Sequence, residues 1–559
     1  MTNSTRAPGL PGGETSMDSA GKGRWLGLAM LSVGVAMIIV DATIVNVAVP
    51  AIIAELKLDG ATAEWVNTTY ALVFAAFLIS LGRIGDLTGR RRLYILGLFV
   101  FIASSVLAGA APNGTLLIVA RLLQGVGGAM ILPATQSILN NNFRGRDRAI
   151  AFGIWGSVIG GMAAIGPLLG GWLTTELSWR WAFFINVPIG LIAVLGTLRY
   201  IRESKDQDAK RGLDPLGFIL VTVGLAGIVF ALIEGRAYGW WAPEKAINLA
   251  GLSWPLDAPI SVIPVAIAVS LVALVLFYIV ETGRKRAGVA YLFDFDLWRV
   301  PTFRYGNLAG TIVSLGEFGL LFALPLFLQA VLGLTAFQTG LVFLSLAVGA
   351  FFAAPAAAGI ARRSGPRRVV TLGMGLEAVG ILWTTLMIGK DINPLVLVPP
   401  LFVYGIGVGF ATAQLANVVL GDVPPQESGL ASGANTTMRQ MGSALGIAIL
   451  GTILFSTLLS ETKANLAAIP GLPAVAQAGI AESIDKSAGQ ALTGIKADPA
   501  NALVVVAIED AFVDAARAAG FGALAFVLLG LGLSFLLPAS AGRGHGMGED
   551  AAATAPPAH

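Results

Sequence analysis

The sequence predicts an all-α membrane protein with fourteen transmembrane helices. Of its 559 residues, 55% are hydrophobic and only 12% are charged, whereas soluble domains carry about 25% charged residues. The mean hydropathy is +0.78. A helix needs about 20 apolar residues to cross a bilayer. Fourteen runs of about this length occur, at residues 25–49, 64–82, 93–110, 114–134, 149–173, 182–200, 215–234, 259–280, 304–329, 338–360, 369–388, 395–413, 431–458 and 517–537.

Two residue types that carry much enzyme chemistry are missing from these spans. The chain has no cysteine, and both histidines, His545 and His559, lie in the polar C-terminal tail. No GxxxxGK[ST] nucleotide-binding sequence occurs, so transport would draw on an ion gradient or a separate subunit. We therefore expect no enzyme activity, no cofactor and no metal. The net charge of +3 does not indicate nucleic acid, because the basic residues form short clusters between apolar runs.

The basic residues predict how the chain is oriented. With a cytoplasmic N-terminus, 25 of the 36 lysines and arginines lie in cytoplasmic loops and tails, as the positive-inside rule requires. Both termini are then cytoplasmic, with polar tails at residues 1–24 and 539–559. The first tail lacks a small-residue cleavage site, so we expect no cleaved signal peptide. The predicted location is the cell membrane, plasma or inner.

A basic loop after the second span has a counterpart after the tenth. The loop GRIGDLTGRRR occupies residues 82–92, and ARRSGPRR occupies residues 361–368, with arginine where the first copy has aspartate. Two copies separated by eight spans indicate repeated six-helix units. The predicted domains are a six-helix bundle at 25–200, a linker with two extra helices at 201–303 and a six-helix bundle at 304–538. Chance similarity of two basic loops is the alternative.

Several stretches resemble the major facilitator superfamily. GRIGDLTGRRR is similar to its loop signature, and IGPLLGG, residues 165–171, to the fifth-helix motif of its antiporters. Five further stretches resemble the fourteen-helix drug/proton antiporter branch of this superfamily. They are VDATIVNVAVPAI, WVNTTYAL, RLLQGVGGAMILPA, SWRWAFFINVPIG and RQMGSALGIAILGT.

The resemblance implies the major facilitator fold, with two six-helix bundles and two inserted helices. It also implies a secondary active exporter that exchanges protons for lipophilic drugs or antibiotics by alternating access. The alternatives are an exporter of lipids or of an endogenous lipophilic metabolite on the same fold, and a transporter-like sensor or scaffold. A sensor or scaffold would be expected to lose its acids inside the membrane.

Acidic residues inside the spans are candidate functional sites, because burying each one costs at least about 2.5 kcal/mol. Asp41 in the first span and Glu317 in the ninth fall on helices that line the central cavity in the superfamily. Asp41 is expected to couple protons to transport, or to serve an N-cap or hydrogen-bonding role near the outer helix end. Glu317, with aromatic neighbours, is expected to attract a lipophilic cation, or to form a local pair. The sequence leaves open which of the two acids carries the coupling proton.

Glu377, in the eleventh span, corresponds to a peripheral helix of the family. We expect it to lie outside the transport pathway, neutralised by protonation or paired locally.

Arg121 resembles the basic residue of the family's fourth-helix motif. It is expected to tune the protonation of a nearby acid, or to be an interfacial arginine that reaches the lipid headgroups. The antiporter motif in the fifth span would bend that helix and let another helix pack closely. By resemblance it seals the two halves against leak. Its residues are Gly166, Pro167, Gly170 and Gly171.

The loop after the second span is predicted to act as a cytoplasmic latch. Its glycines allow close helix approach and a sharp turn. By resemblance, its single acid holds the two halves together through an arginine and the positive helix end near residues 429–433. The alternative is that the basic residues only set topology. The latch motif consists of Gly82, Gly85, Asp86, Gly89 and Arg90.

A long extracytoplasmic loop is predicted at residues 459–515. The stretch VVVAIEDAFVDAARAAG, residues 504–520, has helix spacing and predicts an amphipathic helix lying at the outer interface. The loop would bind an extracytoplasmic partner or serve as a passive linker. The other expected partners are protons, membrane lipids and a lipophilic small-molecule or lipid substrate.

Overall fold

A computed structural model describes residues 14–58, 60–205, 214–249, 252–424, 427–487 and 491–538. The fold is almost entirely helical. The helices are α1 (Glu14–Leu56), α2 (Gly60–Thr88), α3 (Arg90–Gly109), α4 (Gly114–Asn142), α5 (Gly145–Glu176), α6 (Trp181–Phe184), α7 (Asn186–Tyr200), α8 (Pro215–Tyr238), α9 (Val262–Arg286), α10 (Pro301–Ala330), α11 (Ala336–Ser364), α12 (Pro366–Met387), α13 (Val398–Val419), α14 (Ser428–Ala467), α15 (Ala474–Lys486), α16 (Ala491–Lys496) and α17 (Ala502–Ser534). Between α8 and α9, the short strands β1 (Ile247–Leu249) and β2 (Leu252–Trp254) pair antiparallel.

Each predicted span coincides with a helix, and the sixth span is divided between α6 and α7. In the described part of the chain, twelve helical stretches are long and apolar enough to cross a membrane. They do not include α5, and α11 contributes only a shorter apolar stretch, Phe337–Ala353. The count of fourteen crossings therefore stays a prediction.

The helices pack as two groups that meet along two seams. In the first group, α1 packs on α5 and α7, and α4 packs on α2 and α3. In the second group, α10 packs on α14 and α17, and α12 packs on α13. The groups meet where α5 contacts α11 and where α2 contacts α14. We call these two groups the N-half and the C-half.

The inserted helices α8 and α9 pack on each other and cover one seam. Helix α8 contacts both α2 and α14. Near its C-terminal end, the hydroxyl of Thr68 in α2 donates a 2.7 Å hydrogen bond to Glu234. Two residues further on, the guanidinium of Arg236 lies 3.6 Å from the ring centroid of Phe455 in α14. Helix α8 therefore contacts both halves at this end.

Glycines bring neighbouring helices into backbone contact. A Cβ atom at Gly380 in α12 would lie 2.6 Å from the backbone of Tyr404 in α13. A Cβ at Gly433 in α14 would lie 2.7 Å from the carbonyl oxygen of Leu78 in α2. Such small residues are needed because packing is a main source of helix association in lipid.

The segment predicted as a long outer loop, 459–515, is helical at both ends. Helix α14 continues to Ala467, and α17 begins at Ala502, so residues 504–520 belong to one long helix and do not form a separate interfacial helix. The physical reason is that both faces of this helix find partners in the protein. Ile508 and Phe512 are fully buried.

The charged residues of this helix are also paired. Lys390 forms a 2.7 Å ion pair with Asp510, and Lys496 forms a 2.8 Å ion pair with Glu509. Lys496 also donates to the carbonyl oxygens of Ala330 and Val331, so α16 is attached to the end of α10.

Helix α1 begins at Glu14, within the predicted N-terminal tail of residues 1–24, and its apolar stretch begins at Gly23. No proline interrupts the backbone between residues 14 and 24, so the helix can continue past the apolar span. The predicted C-terminal tail, residues 539–559, lies outside the described residues.

We expect Gly380→Ala to destabilise the protein by about 1 to 3 kcal/mol, because the added methyl group collides with the backbone of α13. The measurement is the free energy of unfolding in detergent. Gly375→Ala in the same helix is the control, because its Cβ would meet no atom within 4 Å and alanine is the better helix former. Equal stability of the two variants would contradict the close packing of α12 on α13.

Candidate transport site

Asp41 lies at the centre of a buried polar network in the N-half. Its side chain is fully buried in α1, and Oδ2 accepts a 2.6 Å bond from Nη1 of Arg121 in α4. Its Oδ1 accepts hydrogen bonds from Gln124, at 3.1 Å, and from Asn186, at 2.8 Å. The side-chain amides of Gln124 and Asn186 also donate hydrogen bonds to Ser105 Oγ in α3. Four helices, α1, α3, α4 and α7, therefore meet at one carboxylate.

Arg121 is held in place on several sides. Its Nε donates to the carbonyl oxygen of Val66 in α2, at 3.2 Å. Its guanidinium lies 4.3 Å from the ring centroid of Tyr70 and 5.9 Å from that of Phe183. The side chain is 1% exposed, so Arg121 does not reach a headgroup region, and the snorkelling alternative is wrong.

This arrangement keeps a charged pair inside the bundle. A buried ion pair persists only when its remaining hydrogen-bonding groups are satisfied, and the second oxygen of Asp41 accepts bonds from Gln124 and Asn186. Asp41 also lies fifteen residues before the end of α1 at Leu56, so it does not cap the helix.

Gln124, Asn186 and Ser105 were not identified from the sequence. Gln124 lies in RLLQGVGGA and Asn186 in FFINVPIG, both within stretches that resemble family motifs. A polar amide within such an apolar motif was the available signal. Ser105 had no comparable signal, because it lies outside every stretch that resembles a family motif.

The latch motif lies at the contact between α2 and α14. Asp86 is fully buried and accepts 3.0 Å hydrogen bonds from the backbone N–H groups of Gly429 and Leu430, at the N-terminus of α14. Nη2 of Arg90 lies 2.7 Å from the same carboxylate. A negative charge at a helix N-terminus is favourable because it faces the helix dipole and unpaired N–H groups.

The three latch glycines have different surroundings. Gly82 faces the backbone of Gly429 in the other half, and Gly85 faces the side chain of Leu93. Gly89 has φ +122° and precedes α3, a conformation that requires glycine. Beyond it, the carboxylate of Glu203 accepts the N–H groups of Arg91 and Arg92, at 3.0 and 3.1 Å.

Further hydrogen bonds join the halves at this end. Asn140 in α4 donates to Ser428 Oγ at 2.8 Å, and Arg148 in α5 donates to Asn417 in α13 at 2.9 Å. Ser432 donates to the carbonyl oxygen of Pro133, at 3.0 Å. The halves are thus in contact at the end that the basic loops assign to the cytoplasm, and we call this arrangement the cytoplasm-closed conformation.

The antiporter motif of α5 packs mainly within the N-half. A Cβ at Gly170 would lie 2.8 Å from Ile44 in α1, and one at Gly166 would collide with Thr43. Only Gly171 faces the other half, with Phe337 of α11 at 3.8 Å. The side chain of Pro167 lies outside the described residues.

Glu317 lies in α10 with 7% of its surface exposed. The structure gives its carboxylate no hydrogen bond among the described residues. Tyr404 donates to its backbone carbonyl oxygen at 3.4 Å, and Arg439 in α14 acts on its charge. Glu317 is therefore not placed with Asp41, whose network lies wholly in the N-half. Among the described residues, no cluster of three potential ligands could hold a metal ion.

Apolar helices that pack in two groups around a buried ion pair are the architecture of a multi-pass membrane protein. The profile of the Major Facilitator Superfamily matches residues 31–447 and, in a second match, residues 308–555. The chain belongs to this superfamily, and it is a transporter and not an enzyme.

Relatives with named functions match most of the chain. The probable actinorhodin transporter of Streptomyces coelicolor is 32% identical over 79% of this chain and 74% of its own length. The puromycin resistance protein pur8 of Streptomyces alboniger is 32% identical, with coverages of 77% and 82%. The multidrug efflux pump LfrA of Mycolicibacterium smegmatis is 32% identical, with coverages of 84% and 87%.

Two solved structures share the fold. The human organic anion transporter MFSD10 (TETRAN) superposes with a TM-score of 0.58 at 13% identity, over 91% of this chain and 99% of the other. A bacterial homolog of the human lysosomal transporter Spinster, inward-facing and unoccupied, gives 0.51 at 16% identity, over 92% and 97%. The chain has the major facilitator fold.

We expect Asp86→Asn to weaken the cytoplasm-closed conformation by about 1 to 3 kcal/mol, because a charged acceptor at a helix N-terminus is lost. This is a change of roughly 5- to 150-fold in population. The chain has no cysteine, so Asn140→Cys with Ser428→Cys provides a disulfide reporter of closure. Crosslinking in membranes should fall when Asp86→Asn is added.

Asp147→Asn in the same reporter background is the matched control. Asp147 pairs with Arg24, and both residues belong to the N-half, so this substitution should leave crosslinking unchanged. Equal crosslinking in the two variants would show that Asp86 does not hold the halves together.

Proposed function

We propose that the protein is a secondary active exporter of the cell membrane that exchanges protons for lipophilic drugs or antibiotics by alternating access. The observation that carries this proposal is the Asp41 network, in which a buried carboxylate is bonded to Arg121, Gln124 and Asn186. A proton that binds to this carboxylate would change the hydrogen bonds that join α1, α3, α4 and α7. The relatives, a probable actinorhodin transporter, a puromycin resistance protein and a multidrug efflux pump, support the cargo class.

The coupling step follows from the cost of unpaired charge. With Asp41 ionised, Arg121 is neutralised and the network holds α1, α3, α4 and α7 together. When Asp41 takes a proton, Arg121 is left as a buried charge without its partner, which costs about 3 to 5 kcal/mol. That energy favours a rearrangement of the N-half in which Arg121 regains water or another acceptor.

The contacts at the cytoplasmic end suit a structure that opens and closes. Each neutral hydrogen bond there, such as Asn140 to Ser428, contributes about 0.5 to 1.5 kcal/mol. The charge–dipole contact of Asp86 contributes about 0.3 to 2 kcal/mol. A handful of such contacts can hold one conformation and still be broken by a coupling energy of similar size.

Glu317 is proposed to attract cationic cargo in the C-half. Its carboxylate is free of hydrogen bonds among the described residues, and its helix carries Phe322, whose ring packs edge-on against Phe455 at 6.2 Å. A negative charge beside aromatic surface suits a lipophilic cation. Neutral cargo would not use this charge.

The proposed energy source can be tested directly. In proteoliposomes with an imposed pH gradient, efflux of a lipophilic dye should stop when a protonophore collapses the gradient. ATP is held constant inside the vesicles as a control for nucleotide-driven transport. Uphill efflux that continues after the gradient has collapsed would contradict the proposal of proton exchange.

We expect Asp41→Asn and Glu317→Gln to have different effects. Asp41→Asn should abolish pH-driven accumulation of every substrate, because no charge change remains to link the gradient to the conformational cycle. Glu317→Gln should weaken the binding of cations by about 1 to 3 kcal/mol and leave neutral compounds unaffected. The measurement is uptake of one cationic and one neutral dye into inverted vesicles, with Asp147→Asn as the control. Loss of neutral transport in Glu317→Gln alone would reverse the two roles.

A further inference from the structure

Glu377 is a buried acid whose carboxyl group makes no hydrogen bond in the described part of the chain. It lies in the middle of α12 and has no exposed surface. Among the described residues, neither Oε1 nor Oε2 has a hydrogen-bond partner. This differs from Asp41 and Asp86, whose carboxylates each accept several donors.

The packing of α13 makes room for this side chain. A Cβ atom at Gly407 would lie 2.7 Å from Cγ of Glu377, so only glycine leaves space for the acid at this position. One turn further along α12, Gly380 receives the backbone of Tyr404. The carboxyl group of Glu377 is therefore enclosed between two closely packed helices.

The ionisable groups that interact with the charge of Glu377 come from three helices. Glu317 in α10 and Arg439 in α14 act on its charge, and both acids act on Tyr404 in α13. Arg439 donates to Ser314 Oγ at 3.4 Å. The carboxyl groups of Glu317 and Glu377 thus both interact with the positive charge of the Arg439 guanidinium.

The balance of charge decides the state of this cluster. A buried carboxylate without hydrogen bonds is strongly unfavourable, so such a group takes a proton instead. One proton on Glu377 leaves one negative charge, on Glu317, to balance the positive charge of Arg439, and the cluster is neutral. Interacting carboxyl groups of this kind bind protons as a pair.

We propose that Glu377 and Glu317 form a second proton-binding site, in the C-half, with the proton on Glu377 in the cytoplasm-closed conformation. When a lipophilic cation binds, the proton passes from a carboxyl oxygen of Glu377 to the carboxylate of Glu317 and from there to water. The positive charge of the cation replaces that of the released proton, so the cluster stays neutral. This inference rests on the proposed proton exchange and adds a site to it. It also changes the expectation from sequence, which left Glu377 outside the pathway.

Infrared spectroscopy of the purified full chain at neutral pH tests the protonation. The wild type should show a C=O stretch of a protonated carboxylic acid, and Glu377→Gln should lose it, while Asp147→Asn keeps it. Glutamine has the shape of the protonated acid, so folding should be retained. If that variant fails to fold, Glu377→Leu provides the same loss of the band. A band that persists in either variant overturns the assignment, whether or not the protein exchanges protons.

Proton release on addition of a lipophilic cation, measured with a pH dye in detergent, tests the exchange. Glu377→Gln should release fewer protons per bound cation than the wild type, and Asp41→Asn should lose a separate share. Loss of the infrared band with unchanged proton release would show a fixed proton and overturn the exchange step. A wild type that releases no proton would contradict the proposed function itself, and the exchange step with it.

Discussion

The constraint on which this structure depends is that an ionised group inside the bundle needs a partner. Neither lipid nor the packed interior can solvate a charge. Asp41 meets the constraint with one guanidinium and two amides, and Asp86 meets it with Arg90 and the N–H groups that begin α14. In both cases the partners come from other helices, so satisfying a charge also fixes how helices pack.

The two paired acids join different parts of the protein. The bonds of Asp41 stay within the N-half. The bonds of Asp86 cross to the C-half, so they hold only while the halves are together. Helix α2 contacts both sites, because it supplies the carbonyl oxygen of Val66 to Arg121 and carries Asp86 near its other end. In the proposed proton exchange, this helix would connect the Asp41 network to closure of the cytoplasmic end.

Much of this organisation could be predicted from the sequence, because apolar runs, basic loops and motif order are local signals. Asp41, Arg121 and Asp86 stood out as charges in apolar surroundings. The partners of these residues could not be derived in the same way. Asn186 and Ser105 reach Asp41 only when α3 and α7 are packed. Helix α17 was misjudged because the charges of Glu509 and Asp510 suggest water, whereas lysines elsewhere in the fold neutralise them.

The inserted helices make the two seams between the halves mechanically unequal. On one side, α5 and α11 meet directly. On the other, α8 is bonded to α2 through Thr68 and touches α14 through Arg236 and Phe455. Any motion that parts α2 from α14 at this end must break one of these contacts, so α8 then travels with a single half. The α2–α14 seam is therefore bridged by a third helix, whereas the α5–α11 seam is not. A rocking motion between the halves would for this reason not be symmetric about the central axis.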